Sequence, residues 1–167
     1  MIGDQWGVSD AEVQRRYGCD DLVPEPTLEA WRGVTVHAPA EAVWERVRQV
    51  RVAPYSYDLV DNLGRRSPRA LLDVPDPRVG DPFTRAFGRD QGRVVAVDPG
   101  RELTAEIMGA HMSYAVVPGA RDTRLLLKIV ASTSRWLAPL LSVGDLVMAR
   151  KQLLTLKALA ERDAAGR

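Results

Sequence analysis

The chain has a single cysteine, Cys19, in 167 residues, so no internal disulfide can staple it. Its two histidines, His37 and His111, are too few with Cys19 to build a structural zinc site. The carboxylates show no spacing that would hold a metal ion on their own. Lys and Arg exceed Asp and Glu by only 23 − 22 = 1, so no basic face advertises nucleic acid or an anionic membrane. No apolar run approaches the length of a membrane span, and the opening residues lack a basic-then-apolar leader pattern. A cytoplasmic location is expected. Nowhere does a GxSxG elbow, a P-loop, a strand-borne GxGxxG or an HExxH occur. Those gaps argue against nucleotide and metal chemistry, and no cofactor is expected. Neither an internal repeat nor a low-complexity tract is present.

What is there reads as one globular domain, with 46% apolar and 27% charged residues. The most informative stretch is WRGVTVHAPAEAVWERVRQV, residues 31–50. Val34 and Val36 share one strand face, while Trp31, Thr35 and His37 share the other. Pro39 suits a first helical turn, where its missing N–H costs nothing. Ala42, Val43, Trp44 and Val47 then form an apolar stripe that leaves Glu41, Glu45, Arg46 and Arg48 outside.

Residues 1–30 read as an accessory arm. Ser9 and Glu12 have capping-box spacing, which predicts a short helix over about 10–17 ended by Gly18. Packing over the sheet edge is the plainest role for this arm; a lid or a dimer contact is the alternative. A second short helix is expected over about 58–64, capped by Ser56 or Asp58 and closed by Gly64. Beyond the proline-punctuated DVPDPRVGDP come strand candidates at about 82–87, 91–98, 101–108, 112–118 and 123–132. Asp98-Pro99-Gly100-Arg101 and the 118–122 run supply turn chemistry, so an antiparallel meander is expected. A final helix over about 142–163 carries Leu146, Ala149, Leu153, Leu156 and Ala160 at helical spacing, with Val143 and Leu154 widening the stripe. Trp136 and Pro139 lie in an apolar stretch before it that reads as a bend or gate.

In this order, strand, helices, meander and long terminal helix, the chain resembles the SRPBCC superfamily, the START-like or helix-grip proteins that include polyketide cyclase-like members. The phrases that carry the resemblance are VTVHAPAEAVWERV, YSYDLVDNLGRRSP, GRVVAVDPGRELTAEI and TRLLLKIVAS, together with the terminal helix. It covers roughly residues 31–163, which with the 1–30 arm gives the expected organisation. The resemblance implies an α+β helix-grip fold: a curved seven-stranded antiparallel sheet wrapped around the C-terminal helix, with two short helices after the first strand. It also implies a cavity between sheet and helix for a small hydrophobic or amphipathic molecule. The bottom-up pattern agrees, because Leu125, Leu127, Ile129 and Ala131 share a face that Arg124 and Lys128 do not, although Leu126 and Val130 interrupt the polar side. Leu103, Ala105 and Ile107 likewise oppose Glu102, Thr104 and Glu106.

Two functional readings stay open on this footing. One is a cofactor-independent enzyme that cyclises, aromatises or dehydrates a polyketide-like substrate. The other is a non-catalytic lipid or metabolite carrier or sensor. A module that binds another macromolecule ranks behind both. The expected partner is a small hydrophobic or amphipathic ligand, with no nucleic acid and no integral membrane contact, in a monomer or homodimer. Tyr57, Tyr114 and Glu106 are the candidates for proton transfer, since a phenol or carboxyl can serve a carbonyl-bearing substrate. Trp44, Tyr55, Asp61, Arg65, Met112, Leu127 and Leu153 are the candidate ligand contacts, with Arg65 suited to an anionic end. Plain structural roles compete at each position. Alternation turns Glu106 away from Leu103, His111 reads as an exposed turn residue, and His37 as a sheet residue.

Overall fold

The computed structural model describes residues 4–55, 67–86, 88–132 and 138–166. Seven strands form one curved sheet: β1 (Gln5–Trp6), β2 (Leu28–Val36), β3 (Pro82–Ala86), β4 (Arg89–Asp98), β5 (Glu102–Ile107), β6 (Ala110–Pro118) and β7 (Thr123–Ala131). Their spatial order is β1-β2-β7-β6-β5-β4-β3. Helix α1 spans Asp10–Gln14 and α2 spans Ala40–Val47, followed by a 3-10 turn over Arg48–Arg51; the long α3 spans Ala138–Ala165. All neighbouring strands run antiparallel except the two-residue β1, which joins β2 in parallel. The helix-grip expectation therefore stands, with β1 as a strand that period alone did not reveal. The second short helix expected over 58–64 lies outside the described residues.

Local chemistry explains most of these bounds. Pro39 sits one residue before α2, and its carbonyl accepts from the Val43 N–H at 3.2 Å. Gly100 takes φ +80° after Pro99, and Arg101 N–H closes the turn on the Asp98 carbonyl at 2.9 Å. Between β5 and β6 the two linking residues, Met108 and Gly109, both have positive φ, the twist a tight hairpin needs. That hairpin starts β6 at Ala110, so His111 is a strand residue and not the exposed turn residue expected. A register shift between Val94 and Ala96 marks a bulge where β4 bends against β5.

One face of the sheet carries the main core. Val34, Val36, Leu103, Ala105, Tyr114, Val116, Leu125, Leu127 and Ile129 are buried there with Val43, Trp44 and Val47 of α2 and Ala149, Leu153, Leu156 and Ala160 of α3. Each large aliphatic side chain buried in this layer contributes about 1.5–3 kcal/mol. Leu154 does not widen the stripe; it is among the exposed apolar residues of α3, while Leu159 is buried instead. The second correction concerns Arg46, placed outside the α2 stripe by period. It is fully buried, because α3 and the 69–70 backbone pack over it and supply partners.

The opposite, outer face is covered by the N-terminal arm. Tyr17, Cys19 and Val23 pack on Ala115, Leu126 and Val130, which accounts for the two apolar residues that break alternation in β7. Lys128 is buried with them. Its Nζ meets Asp20 at 2.6 Å and Glu29 at 3.0 Å, and lies 4.8 Å from the Trp31 ring centre. Burial opposes its charge, but the two carboxylates outweigh this and hold its pKa above the ordinary lysine value. Burial pushes the Cys19 thiol up to about 11, so it is a packing group and not a nucleophile. The arm crosses β2 closely: a Cβ on Gly7, which has φ +67°, would lie 2.2 Å from the Gly33 carbonyl oxygen. The predicted capping box is present, with Glu12 N–H on Ser9 Oγ and Ser9 N–H on the Glu12 carboxylate.

Glu12 also grips the sheet through Arg124, at 2.7 Å from Nε and 2.9 Å from Nη2. The arginine hydrogen bond is the main reason its carboxyl titrates below the ordinary value. A lowered folded-state pKa contributes stability above the ordinary carboxylate value of 4.5 and loses it as pH falls below that value toward the folded pKa. Glu12→Gln is therefore expected to lower Tm at pH 7 but to shrink the Tm difference from wild type on acidification below 4.5. Thermal melts at several pH values read this directly; a difference that stays constant into acid would refute the linkage.

Candidate functional site

Cross-strand register assembles the candidate site. Arg32 pairs with Leu127, Leu127 with Tyr114, Tyr114 with Leu103 and Leu103 with Val97, so these five lie in one row. Met112 stands on the same face in the next row, beside Ile129. Helix α3 brings Leu153 and Gln152 over this row, and both are buried. The side chains packed here are mostly apolar, and a short polar chain runs among them. Tyr114 donates its hydroxyl to Gln152 Oε1 at 2.7 Å, and Gln152 Nε2 donates to the Pro54 carbonyl at 2.6 Å. Phe83 closes one side, its ring centre 6.1 Å from that of Tyr114.

Tyr55 borders the same region. It is 1% exposed and holds φ +56°, a left-handed conformation that is costly for a bulky residue. Its N–H donates to Ser67 Oγ at 3.2 Å, joining the chain at 55 to the chain at 67. The segment after Ser67 is pinned in turn. Gln49 donates to the Leu72 carbonyl at 2.6 Å and accepts from the Leu72 N–H at 3.2 Å, imitating a strand partner. Arg46 reaches the carbonyls of Arg69 and Ala70 and meets Asp163 of α3 at 2.6 Å.

The remaining expected site residues are placed differently. Glu106 is on the outer face, where it accepts from Arg93 Nε at 2.8 Å, so the alternation argument against an inward carboxylate agrees with its position. His111, in register between Glu106 and Val130, shares that outer face. Trp44 is buried, but its indole N–H points to Asp76 at 3.1 Å beside an open cleft of about 310 Å³ next to Arg48 and Gly100. His37 borders a second open groove of about 430 Å³ with Glu41, Arg121 and Asp122, and its backbone N–H donates to Glu161 Oε1 at 2.8 Å. Tyr57, Asp61 and Arg65, like Asp58 and Arg66, lie outside the described residues. Among the described residues no group of three His, Cys, Asp or Glu side chains is placed to hold a metal ion. No helix there is long and apolar enough to cross a membrane.

Two participants escaped the sequence reading. Arg32 is fully buried, with its Nη1 donating to the Asp4 carbonyl at 2.7 Å. Its signal was available, since two-residue alternation sets it on the face of Val34 and Val36. Gln152 follows Ala149 by three on the helical stripe, and a polar residue at a stripe position inside a sheet-covered helix marks a partnered interior group.

Among the described residues, this layer sets the Tyr114 phenol, the Gln152 amide and the Arg32 guanidinium among apolar side chains, with Tyr55 at its border. None of the carboxylates and imidazoles named above shares it, so these groups hydrogen-bond a ligand more readily than they abstract a proton from one.

Comparison with solved structures agrees on architecture. A Mesorhizobium loti protein matches 80% of this chain and 97% of its own at TM-score 0.55 and 14% identity. StfQ, a di-domain ARO/CYC protein of the steffimycin biosynthetic pathway, matches 83% of this chain at TM-score 0.50 and 14% identity. DynU16, from the dynemicin biosynthetic locus, matches 83% at TM-score 0.50 and 20% identity. The match spans about half of each of these last two chains, 52% and 48%. At these identities the likeness establishes the fold alone. No protein-family model matches the chain. No curated protein sequence matches it either.

Proposed function

We propose that this chain binds a small apolar or amphipathic molecule between the inner face of its sheet and α3, as a carrier or sensor. The observation that carries this is the Tyr114–Gln152–Pro54 chain, a hydrogen-bonded polar fixture set among apolar walls. Ligand sites commonly pair a greasy lining with a few placed polar groups, and this layer has that composition. Tyr114 and Gln152 form the polar end; Met112, Leu127 and Leu153 form the walls. Tyr57, Asp61 and Arg65 remain candidate contacts on sequence grounds, with Arg65 suited to an anionic group.

A cyclase or aromatase reading has one specific support: the fold is shared with StfQ, a di-domain ARO/CYC of the steffimycin biosynthetic pathway, and with DynU16 of the dynemicin biosynthetic locus. Under that reading Tyr57 and Tyr114 would shuttle protons while the cavity folds a flexible substrate. The outward placement of Glu106 and His111 favours binding without turnover.

Native mass spectrometry of the purified protein tests the proposal at once, by retained metabolite or lipid. The neutral fluorophore N-phenyl-naphthylamine is expected to bind one-to-one. Leu127→Trp, which fills the layer, should weaken it at least about tenfold, a loss of about 1.4 kcal/mol. Equal binding by a folded Leu127→Trp protein would place the probe elsewhere and sink the assignment.

A further inference from the structure

Helix α3 carries two apolar stripes, and the packed sheet accounts for only one of them. Ala149, Leu153, Leu156 and Ala160 are buried in the core. On the opposite side Val147 and Leu154 keep 50% and 38% of their exposure, and Ala158 is exposed one turn further on. At about 100° per residue these three fall within an arc of about 40°, along about 16 Å of helix. The charges around this stripe have one sign. Arg150 stands on one side of it and Lys151 and Arg162 on the other, all three exposed. No carboxylate is exposed among the described side chains of α3. Packing decides this. Glu161 is drawn to the His37 backbone N–H at 2.8 Å and to Lys157, while Asp163 meets Arg46 at 2.6 Å. Arg150 lies 5.3 Å over the Trp6 ring, and Arg162 reaches Asp163 at 3.2 Å, contacts that hold both guanidinium groups beside the stripe. The near-neutral balance of the whole chain, +1, hides this local segregation.

We infer that the outer face of α3 docks the chain reversibly on an anionic lipid surface. An apolar strip with cations on both flanks suits the headgroup region of such a bilayer. Its apolar side chains reach past the headgroups while the long cationic stems spread to the phosphates. A second copy fits poorly, because face on face it sets cations against cations with no exposed α3 carboxylate to meet them. Nucleic acid would engage the cations but gains nothing from an apolar centre. This surface lies opposite the side of α3 that covers the sheet, so the inference stands apart from the proposed ligand layer.

Co-flotation of the intact chain with large unilamellar vesicles tests it. Pure phosphatidylcholine is compared with phosphatidylcholine carrying about one-third phosphatidylglycerol. At low salt, partition onto the anionic vesicles should exceed that onto the neutral ones at least about tenfold, and it should fall as salt rises. Lys151→Glu should weaken it at least about tenfold, since each cation near such a surface is worth about fivefold and reversal counts twice. Leu154→Ser keeps the charge and should weaken partition about fivefold by removing apolar contact. Both positions are exposed, so Tm should stay close to wild type and separate lost binding from lost folding. Equal partition onto the two vesicle types overturns the inference. So does an anionic preference that both variants retain, which puts the contact on another face. A preference abolished by Lys151→Glu but untouched by Leu154→Ser makes the face a purely ionic site, as for an acidic peptide, and overturns the lipid assignment. Sedimentation velocity without vesicles is expected to show a monomer; a dimer dissolved by Leu154→Ser gives the face to a second copy and overturns it as well.

Discussion

Asp163→Ala is expected to destabilise the chain by about 3–5 kcal/mol, the range seen when one partner of a buried ion pair is removed. In a protein of this size that lowers Tm by roughly 6–20 °C. The reason is the asymmetry of the pair. The Arg46 side chain is wholly buried whereas that of Asp163 keeps 15% of its exposure, so the variant leaves the deeper charge without its counterion. Two weaker contacts to backbone carbonyls, at 3.1 and 3.4 Å, persist and set a floor to the damage. The consequence reaches the candidate site. Arg46 holds the 69–70 backbone, the same stretch follows Ser67, and Ser67 clasps Tyr55 next to the Pro54 carbonyl that orients Gln152. N-phenyl-naphthylamine affinity should fall together with Tm. Arg46→Met combined with Asp163→Leu should recover much of the loss, since it removes both charges. A Tm change of under about 2 °C for Asp163→Ala would show that the buried arginine does not depend on this carboxylate.

Deleting residues 1–24 is expected to have the largest effect of all. Tyr17, Cys19 and Val23 would leave the outer face, and at about 1.5–3 kcal/mol per large apolar side chain the loss approaches 5 kcal/mol or more. Lys128 would lose Asp20, and the Gly33 strand would lose the β1 backbone along its edge. An uncovered row of Ala115, Leu126 and Val130 on a sheet with an open edge favours association. The truncated chain should be insoluble or melt far below wild type, as measured by expression trials and calorimetry. A truncated protein that stays monomeric with an unchanged Tm would make the arm a dispensable appendage. Tyr17→Ala gives a milder version of the same test in a chain that retains β1.

How much of this was legible in advance varies by element. The capping box of Ser9 and Glu12, the Asp98-Pro99-Gly100-Arg101 turn and five strand positions follow from short-range stereochemistry, and the structure has them within a few residues. Leu126 and Val130 broke the alternation of β7 and so announced that its second face was covered. They held no information on what covered it. Arg46 was misplaced because an amphipathic stripe assumes one covered side, whereas α2 is also overlaid by backbone from 69–70 and by α3. Gln152 and Arg32 sat at interior positions of their patterns but were passed over in favour of aromatic and acidic residues. Of the expected contacts, Met112, Tyr114, Leu127 and Leu153 share the inner layer, and Glu106 does not.

Helical and two-residue periods, turn residues and caps act over a few positions, and they were enough to order the elements from β2 to the last helix, apart from β1, and to sort the side chains of β5 and β7 into two faces. Which charges lie inside, and what each one meets, depended on partners far away in the chain. Arg46 finds Asp163 across 117 positions, Tyr114 finds Gln152 across 38, and Arg124 finds Glu12 across 112. Burial makes those pairings decisive, because a polar group out of water must take whatever partner the packing brings to it. Only the folded chain brings them together.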